Sequence, residues 1–140
     1  MLNRSPQTRR RFLRWLSGAV LALIMLPATR ARARKIAIPL GKVEKLQKVG
    51  GSMLAKIKGR DVLLVRDSEK TLRAINPVCT HQKCTVAYNP ETKHLHCPCH
   101  KSAYTLDGVV LEGPAPKPLQ IYPTDFDGQR VVLDLPEPTP

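Results

Sequence analysis

Acidic side chains are absent from the first 35 residues of this 140-residue chain, which carry nine Arg and Lys. With those nine set apart, 14 bases face 11 acids, so the formal net charge of +12 is mostly a property of the N-terminus. Such a distribution speaks for targeting or membrane contact and against nucleic acid. Aromatic residues make up only 4% of the chain. Beyond the N-terminal run there is no basic patch interleaved with aromatics, no zinc-finger spacing and no basic recognition helix, which excludes a nucleic-acid partner. Long apolar runs are missing too. The run from Trp15 to Ala28 has 14 residues and would span roughly 21 Å as a helix, short of a hydrocarbon core of about 30 Å. No stretch after residue 35 has a helical period, so a helical fold is excluded.

What the N-terminus does contain is an address. Thr8-Arg9-Arg10-Arg11-Phe12-Leu13-Arg14 reads as a twin-arginine export motif, a signal read by a receptor. The apolar stretch behind it is expected to be a helix. Started at Phe12 it reaches 17 residues, with Arg14 able to extend to the interface. Ala31-Arg32-Ala33 offers a small-x-small cleavage pattern. A cleaved signal and a retained anchor both fit. Residues 1–35 are thus read as signal or anchor plus linker, on a chain bound for the extracytoplasmic face of a bacterial membrane, periplasmic or on the thylakoid lumen side.

The remainder reads as β throughout. Ile36-Ala37-Ile38 alternates, as does Met53 to Ile57 before the turn Lys58-Gly59-Arg60-Asp61. Asp61 to Arg66 is a buried strand, and Leu72 to Ile75 follows the polar turn Asp67 to Lys70. Leu119 to Tyr122 and Arg130 to Leu135 flank the turn Asp127-Gly128-Gln129. Short strands with frequent Gly, Pro and Asp turns predict an antiparallel sandwich or barrel over residues 36–135. The Pro-rich tail 136–140 is expected to be disordered.

The chemistry is concentrated in two short stretches, Cys79-Thr80-His81-Gln82-Lys83-Cys84 and Cys97-Pro98-Cys99-His100-Lys101-Ser102. They hold all four Cys of the chain and two of its four His. A Cys-x-His pair followed by Cys-x-x-His supplies two thiolates and two imidazoles. Those four could hold a structural zinc, or the four Cys could form two disulfides with the His incidental. The same set is the ligand set of a Rieske [2Fe–2S] centre, where two His replace two Cys on one iron. His94 and His96 alternate about Leu95 as an exposed strand face does, and receive no metal role.

Over roughly residues 43–135 the sequence resembles the Rieske iron–sulfur family, and within it the disulfide-containing, high-potential branch. The resemblance implies a β fold with an inserted cluster-binding subdomain, here residues 77–116, holding one [2Fe–2S] cluster. Cys79 and Cys97 would bind the inner iron, and His81 and His100 the outer iron. The two His would also carry the proton that accompanies the electron. Cys84 and Cys99 would form a disulfide across the two loops, which an exported location permits. Ser102 and Tyr104 would hydrogen-bond cluster sulfur and raise the potential. Gly113-Pro114-Ala115-Pro116 matches the family's cluster-covering proline loop, whose fixed φ values restrict motion and water access.

Function follows by the same resemblance. The leading expectation is the iron–sulfur subunit of a membrane quinol:cytochrome oxidoreductase of the bc type. It would take an electron and a proton from quinol and reduce a c-type cytochrome or similar carrier, beside a b-type cytochrome subunit. Such a chain is a redox relay, an enzyme only as part of its complex. The small subunit of an exported molybdenum oxidase resembling arsenite oxidase is an alternative, and a stand-alone exported carrier is another. Departures from the quinol-oxidising pattern bear on that choice. Gln82 and Lys83 stand where those members usually carry Leu and Gly, and Lys101 stands where Gly is usual. Positive charge so close to the cluster is expected to raise its potential and to favour an acidic electron partner.

Overall fold

The computed structural model describes residues 34–136. The twin-arginine motif, the apolar run with its cleavage pattern, and all but the first residue of the Pro-rich tail lie outside that range. Eleven strands run through the described residues: β1 (Arg34–Pro39), β2 (Ser52–Ile57), β3 (Arg60–Arg66), β4 (Leu72–Ile75), β5 (Ala87–Asn89), β6 (His94–His96), β7 (Ala103–Tyr104), β8 (Val110–Glu112), β9 (Ile121–Tyr122), β10 (Thr124–Phe126) and β11 (Arg130–Leu135). Two single 3-10 turns, Leu40–Lys42 and Glu44–Leu46, join β1 to the rest.

The strands form three antiparallel sheets, ordered β1-β11-β10, β2-β3-β4-β9 and β5-β6-β7-β8. No sheet among the described residues closes into a barrel, so that expectation is corrected. The reason is visible at Pro123, which has no N–H to donate and stands between β9 in one sheet and β10 in another. The chain changes sheets there, and the Pro123 carbonyl accepts from the Asp134 amide of β11 (3.0 Å). The third sheet lies entirely between β4 and β9, which pair with each other through Ala74↔Tyr122 and Ile75↔Ile121. The expected insertion therefore exists as a topological fact.

β3 explains how the pieces cohere. Its side chains alternate between faces, and both faces are covered. Val62 and Leu64 enter a core with Leu40, Leu46, Leu72, Ala74, Tyr122, Val131, Leu133 and Leu135. Leu63 and Val65 enter a second core with Ile75, Val86, Leu95, Tyr104, Leu119 and the sulfur-bearing Cys79 and Cys97. A continuous apolar run is what burial on both faces requires. The hairpin from β2 to β3 turns on two residues, Lys58 and Gly59, with φ of 49° and 80°. Positive φ at both central positions matches the twist of paired strands, and Ile57 pairs directly with Arg60.

Arg66 closes β3 and is only 7% exposed. Its Nη1 donates to the carbonyls of Leu46 (3.2 Å) and Gln47 (3.0 Å), and its Nη2 to Glu69 Oε2 (3.0 Å). The guanidinium also lies 5.4 Å from the Phe126 ring centroid, close enough for a cation–π contact. A buried charge is tolerated when it is hydrogen-bonded in this way. Arg66 thereby fastens the 3-10 segment to the sheet.

Candidate metal centre

The two Cys/His stretches are closed by the same pair of hydrogen bonds. In the first, the Cys79 amide donates to the Cys84 carbonyl (2.8 Å) and the Lys83 amide to the Cys79 carbonyl (2.9 Å). In the second, Cys97 donates to the Ser102 carbonyl (2.8 Å) and Lys101 to the Cys97 carbonyl (3.1 Å). Each loop thus buries its leading Cys and turns back at its fifth residue. That fifth residue is left-handed in both, with φ of 59° at Lys83 and 61° at Lys101. Side chains disfavour this region by about 1–2 kcal/mol. Lys83→Gly and Lys101→Gly should therefore each raise stability, by up to about 1 kcal/mol after the added freedom of the unfolded chain is deducted. Thermal unfolding measures this, and a lowered Tm in both variants would show that the lysine stems pack in a way that outweighs the strain.

The sulfurs of Cys84, Cys97 and Cys99 lie within 4.8 Å of one another. They are not a ligand set, because Cys84 and Cys99 are joined in a disulfide with Cα atoms 6.5 Å apart. That leaves Cys79 and Cys97 as free thiols, 1% and 3% exposed. His81 and His100 stand at the loop tips with ring centroids 4.7 Å apart and planes at 89°. His100 is exposed and His81 half-buried. The Nδ1 atom of His81 is buried and has no hydrogen-bond partner. Buried ring nitrogens are rarely left so, and a metal bond would satisfy this one.

Two residues of β7 and its approach lie beneath the loops. The Tyr104 hydroxyl is buried 3.2 Å from Cys79 Sγ and 3.4 Å from the Thr80 amide. It can donate to the sulfur while accepting from the amide. Burial pushes the Cys79 thiol up, but Tyr104, the His81 and Gln82 backbone and the Cys97 side chain together hold it below the usual thiol range. The Tyr104 phenol is pushed up by burial and by the same bond to Cys79. A thiol biased to the anion beside a phenol that keeps its proton suits a metal ligand with a hydrogen-bond donor.

Ser102 is fully buried and its Oγ accepts the Ala115 amide (3.1 Å). This ties Gly113-Pro114-Ala115-Pro116 against the second loop, with Ala115 buried and the other three exposed. Among the described residues the Ser102 hydroxyl proton finds no acceptor, which leaves it able to donate to a sulfide. The proline loop is held at its far end where the Leu119 amide donates to the Gly108 carbonyl (2.9 Å). A Cβ on Gly108, at φ 81°, would come within 2.5 Å of the Leu119 carbonyl oxygen, so only glycine fits.

The two loops, Tyr104, Ser102 and the 113–116 loop are thus brought into contact with one another. His94 and His96 are not among them. They flank buried Leu95 on β6, and His96 Nε2 instead meets Thr92 Oγ1 at 3.2 Å. Sequence reasoning missed Thr80, whose Oγ1 donates to the Lys117 carbonyl (2.7 Å) and locks the first loop to the proline loop. Its only signal was a hydroxyl residue between Cys79 and His81.

The model of the Rieske [2Fe-2S] domain matches residues 37–123. The chain belongs to this family. Among curated Rieske relatives, a chloroplastic cytochrome b6-f complex iron-sulfur subunit from Triticum aestivum is 44% identical over 79 residues, covering 55% of this chain and 36% of its own. Cytochrome b6-f complex iron-sulfur subunit 3 from Nostoc sp. is 30% identical over 141 residues, covering 81% and 77%. Among solved structures, the cyanobacterial plasma membrane Rieske protein from Synechocystis superposes with a TM-score of 0.55 at 28% identity, covering 60% of this chain and 86% of that one. The chain spans about a third of the length of the chloroplast Rieske subunits it matches.

Proposed function

We propose that this chain is a one-electron relay, the iron–sulfur subunit of a membrane quinol:cytochrome oxidoreductase, and is not catalytic alone. The observation that carries this reading is the sorting of four cysteines into two buried thiols and one disulfide, with two imidazoles at the loop tips. Structural zinc needs no such disulfide, and a two-disulfide domain would leave no free thiols.

A [2Fe–2S] centre bound here supplies a one-electron couple within about −150 to +300 mV. Cys79 and Cys97 would hold its buried iron, and His81 and His100 its outer iron. The exposed His100 edge would meet the redox partner and pass a proton together with the electron. Tyr104 and Ser102 would stabilise the more negative reduced state, and the 113–116 loop would exclude water. The b6-f names of the relatives support quinol as donor, a b-type cytochrome subunit as neighbour and a c-type cytochrome or similar carrier as acceptor. Residues 1–35 would route the 36–135 domain through the twin-arginine system to the extracytoplasmic face.

Purified protein should contain iron and acid-labile sulfide in equal amounts, about two of each per chain, and its reduced form should give the low-average-g EPR signal of a His-ligated cluster. Stoichiometric zinc without iron would end this reading. Tyr104→Phe removes the bond to Cys79 Sγ and should lower the potential by tens of millivolts, since 59 mV corresponds to about 1.4 kcal/mol for one electron. An unchanged potential in a redox titration would show that the hydroxyl does not act on the centre.

Gln82 favours a second reading, the small subunit of an exported molybdenum oxidase. It is exposed on the first loop, where an apolar side chain would serve quinol better. Purification from native membranes separates the two, by a b-type cytochrome or by a large molybdenum subunit in the same complex.

A further inference from the structure

Three segments build the metal centre: residues 76–90, 97–106 and 113–119. Together they hold three Lys, two His and no acidic residue, with Glu91, Asp107 and Glu112 standing immediately at their ends. The lysines are Lys83, Lys101 and Lys117, and all three are exposed. Among the described residues none of them pairs with a carboxylate. The nearest acid in sequence to the second loop, Asp107, is itself engaged by Arg73.

Their placement is not that of a scattered solvated surface. Lys83 and Lys101 occupy the same position of two loops closed by the same hydrogen bonds, and each follows a residue of the His81–His100 pair within two positions. Both hold a left-handed backbone that disfavours any side chain, and glycine would be more comfortable at either site. Lys117 completes the set, because its carbonyl is bonded to Thr80 inside the first loop. Exposed Pro98, Pro114 and Pro116 share these segments and add rigid, uncharged surface to them.

We propose that this cationic surface is the docking face for a small electron-carrier protein with an acidic surface. The inference rests on the redox reading above and names the charge of the partner. Three like charges on the loops beside the exposed His100 raise the local concentration of an acidic carrier and orient it with its redox group toward that imidazole. Steering of this kind speeds association by about 10- to 1,000-fold at low salt and fades as the Debye length falls from about 30 Å to 8 Å.

The test uses the full-length, cluster-loaded protein in its reduced form. Its EPR signal is recorded first, so that absence of the cluster, which would defeat the redox reading, is seen separately. Stopped-flow reduction is then followed with two acceptors, a basic cytochrome c and the same cytochrome with its lysines succinylated. The succinylated form should react at least tenfold faster at 10 mM than at 150 mM ionic strength. The unmodified form should show the opposite trend. The triple change Lys83→Gln, Lys101→Gln, Lys117→Gln should flatten the dependence, and the three Lys→Arg changes should preserve it. Lys42→Gln, Lys45→Gln and Lys48→Gln together remove the same charge from exposed positions around the 3-10 turns, and should leave the dependence in place. Equal loss in both Gln triples would reduce the effect to net charge and overturn the proposal. So would a rate with the succinylated acceptor that ignores salt.

Discussion

The double change Cys84→Ser, Cys99→Ser is expected to lower the unfolding free energy by about 3 kcal/mol, the chain-entropy value for a closed loop of 15 residues. For a domain of this size total stability is of order 5–15 kcal/mol, so the loss is a large share of it. The double variant is cleaner than either single one, because a lone Cys84 or Cys99 thiol would lie within 4.8 Å of the Cys97 sulfur, and dissolved oxygen could oxidise the two to a non-native disulfide. The effect should be greatest in cluster-free protein, where the disulfide alone ties the loops. Urea unfolding of both forms measures it, with release of iron from the loaded protein as a second readout. An unchanged midpoint in the cluster-free form would mean that the loops are held by their backbone bonds and need no tie.

Cys79→Ser is expected to abolish the metal centre. The substitution replaces a thiol whose pKa is held below the usual thiol range with a hydroxyl that stays protonated at neutral pH and is a far poorer ligand for iron. It also removes the sulfur that Tyr104 contacts at 3.2 Å in the core. Visible absorbance and the EPR signal should both vanish, while far-ultraviolet dichroism keeps its β character. His94→Ala and His96→Ala serve as internal comparisons, since both residues lie on β6 outside the His81–His100 pair. Their cluster content should equal that of the parent. Retention of a full EPR signal by Cys79→Ser would remove Cys79 from the ligand set and with it the assignment of the inner iron.

Legibility in the sequence followed how far each segment's burial shows as a period. β3, β4 and β11 were readable because their apolar residues run or alternate over four to seven positions. β7 has two residues, too few for any period, and β10 reads Thr-Asp-Phe with little to mark it. Leu40 and Leu46 plug a core from 3-10 turns, where the spacing of apolar residues follows tertiary packing and no helical or strand repeat. The buried role of Arg66 was hidden for a similar reason, since its partners at Leu46 and Gln47 lie some 20 residues away.

The metal centre was far more legible, because its chemistry is carried by rare residue types whose spacing resembles a known family. The Cys84–Cys99 disulfide matches what that resemblance implied. The left-handed turns at Lys83 and Lys101 were foreshadowed by lysine standing where the family usually has glycine. What the sequence could not convey was that the two loops are copies of one hydrogen-bonded turn, since His81 and His100 sit at different offsets from their leading cysteines.

β3 has a consequence for how the molecule opens. A strand that supplies Val62 and Leu64 to one core and Leu63 and Val65 to the other cannot detach from either without exposing both. The two halves therefore share one cooperative unit. Its central amides should exchange with deuterium only through global unfolding, the slowest class of opening in a native protein.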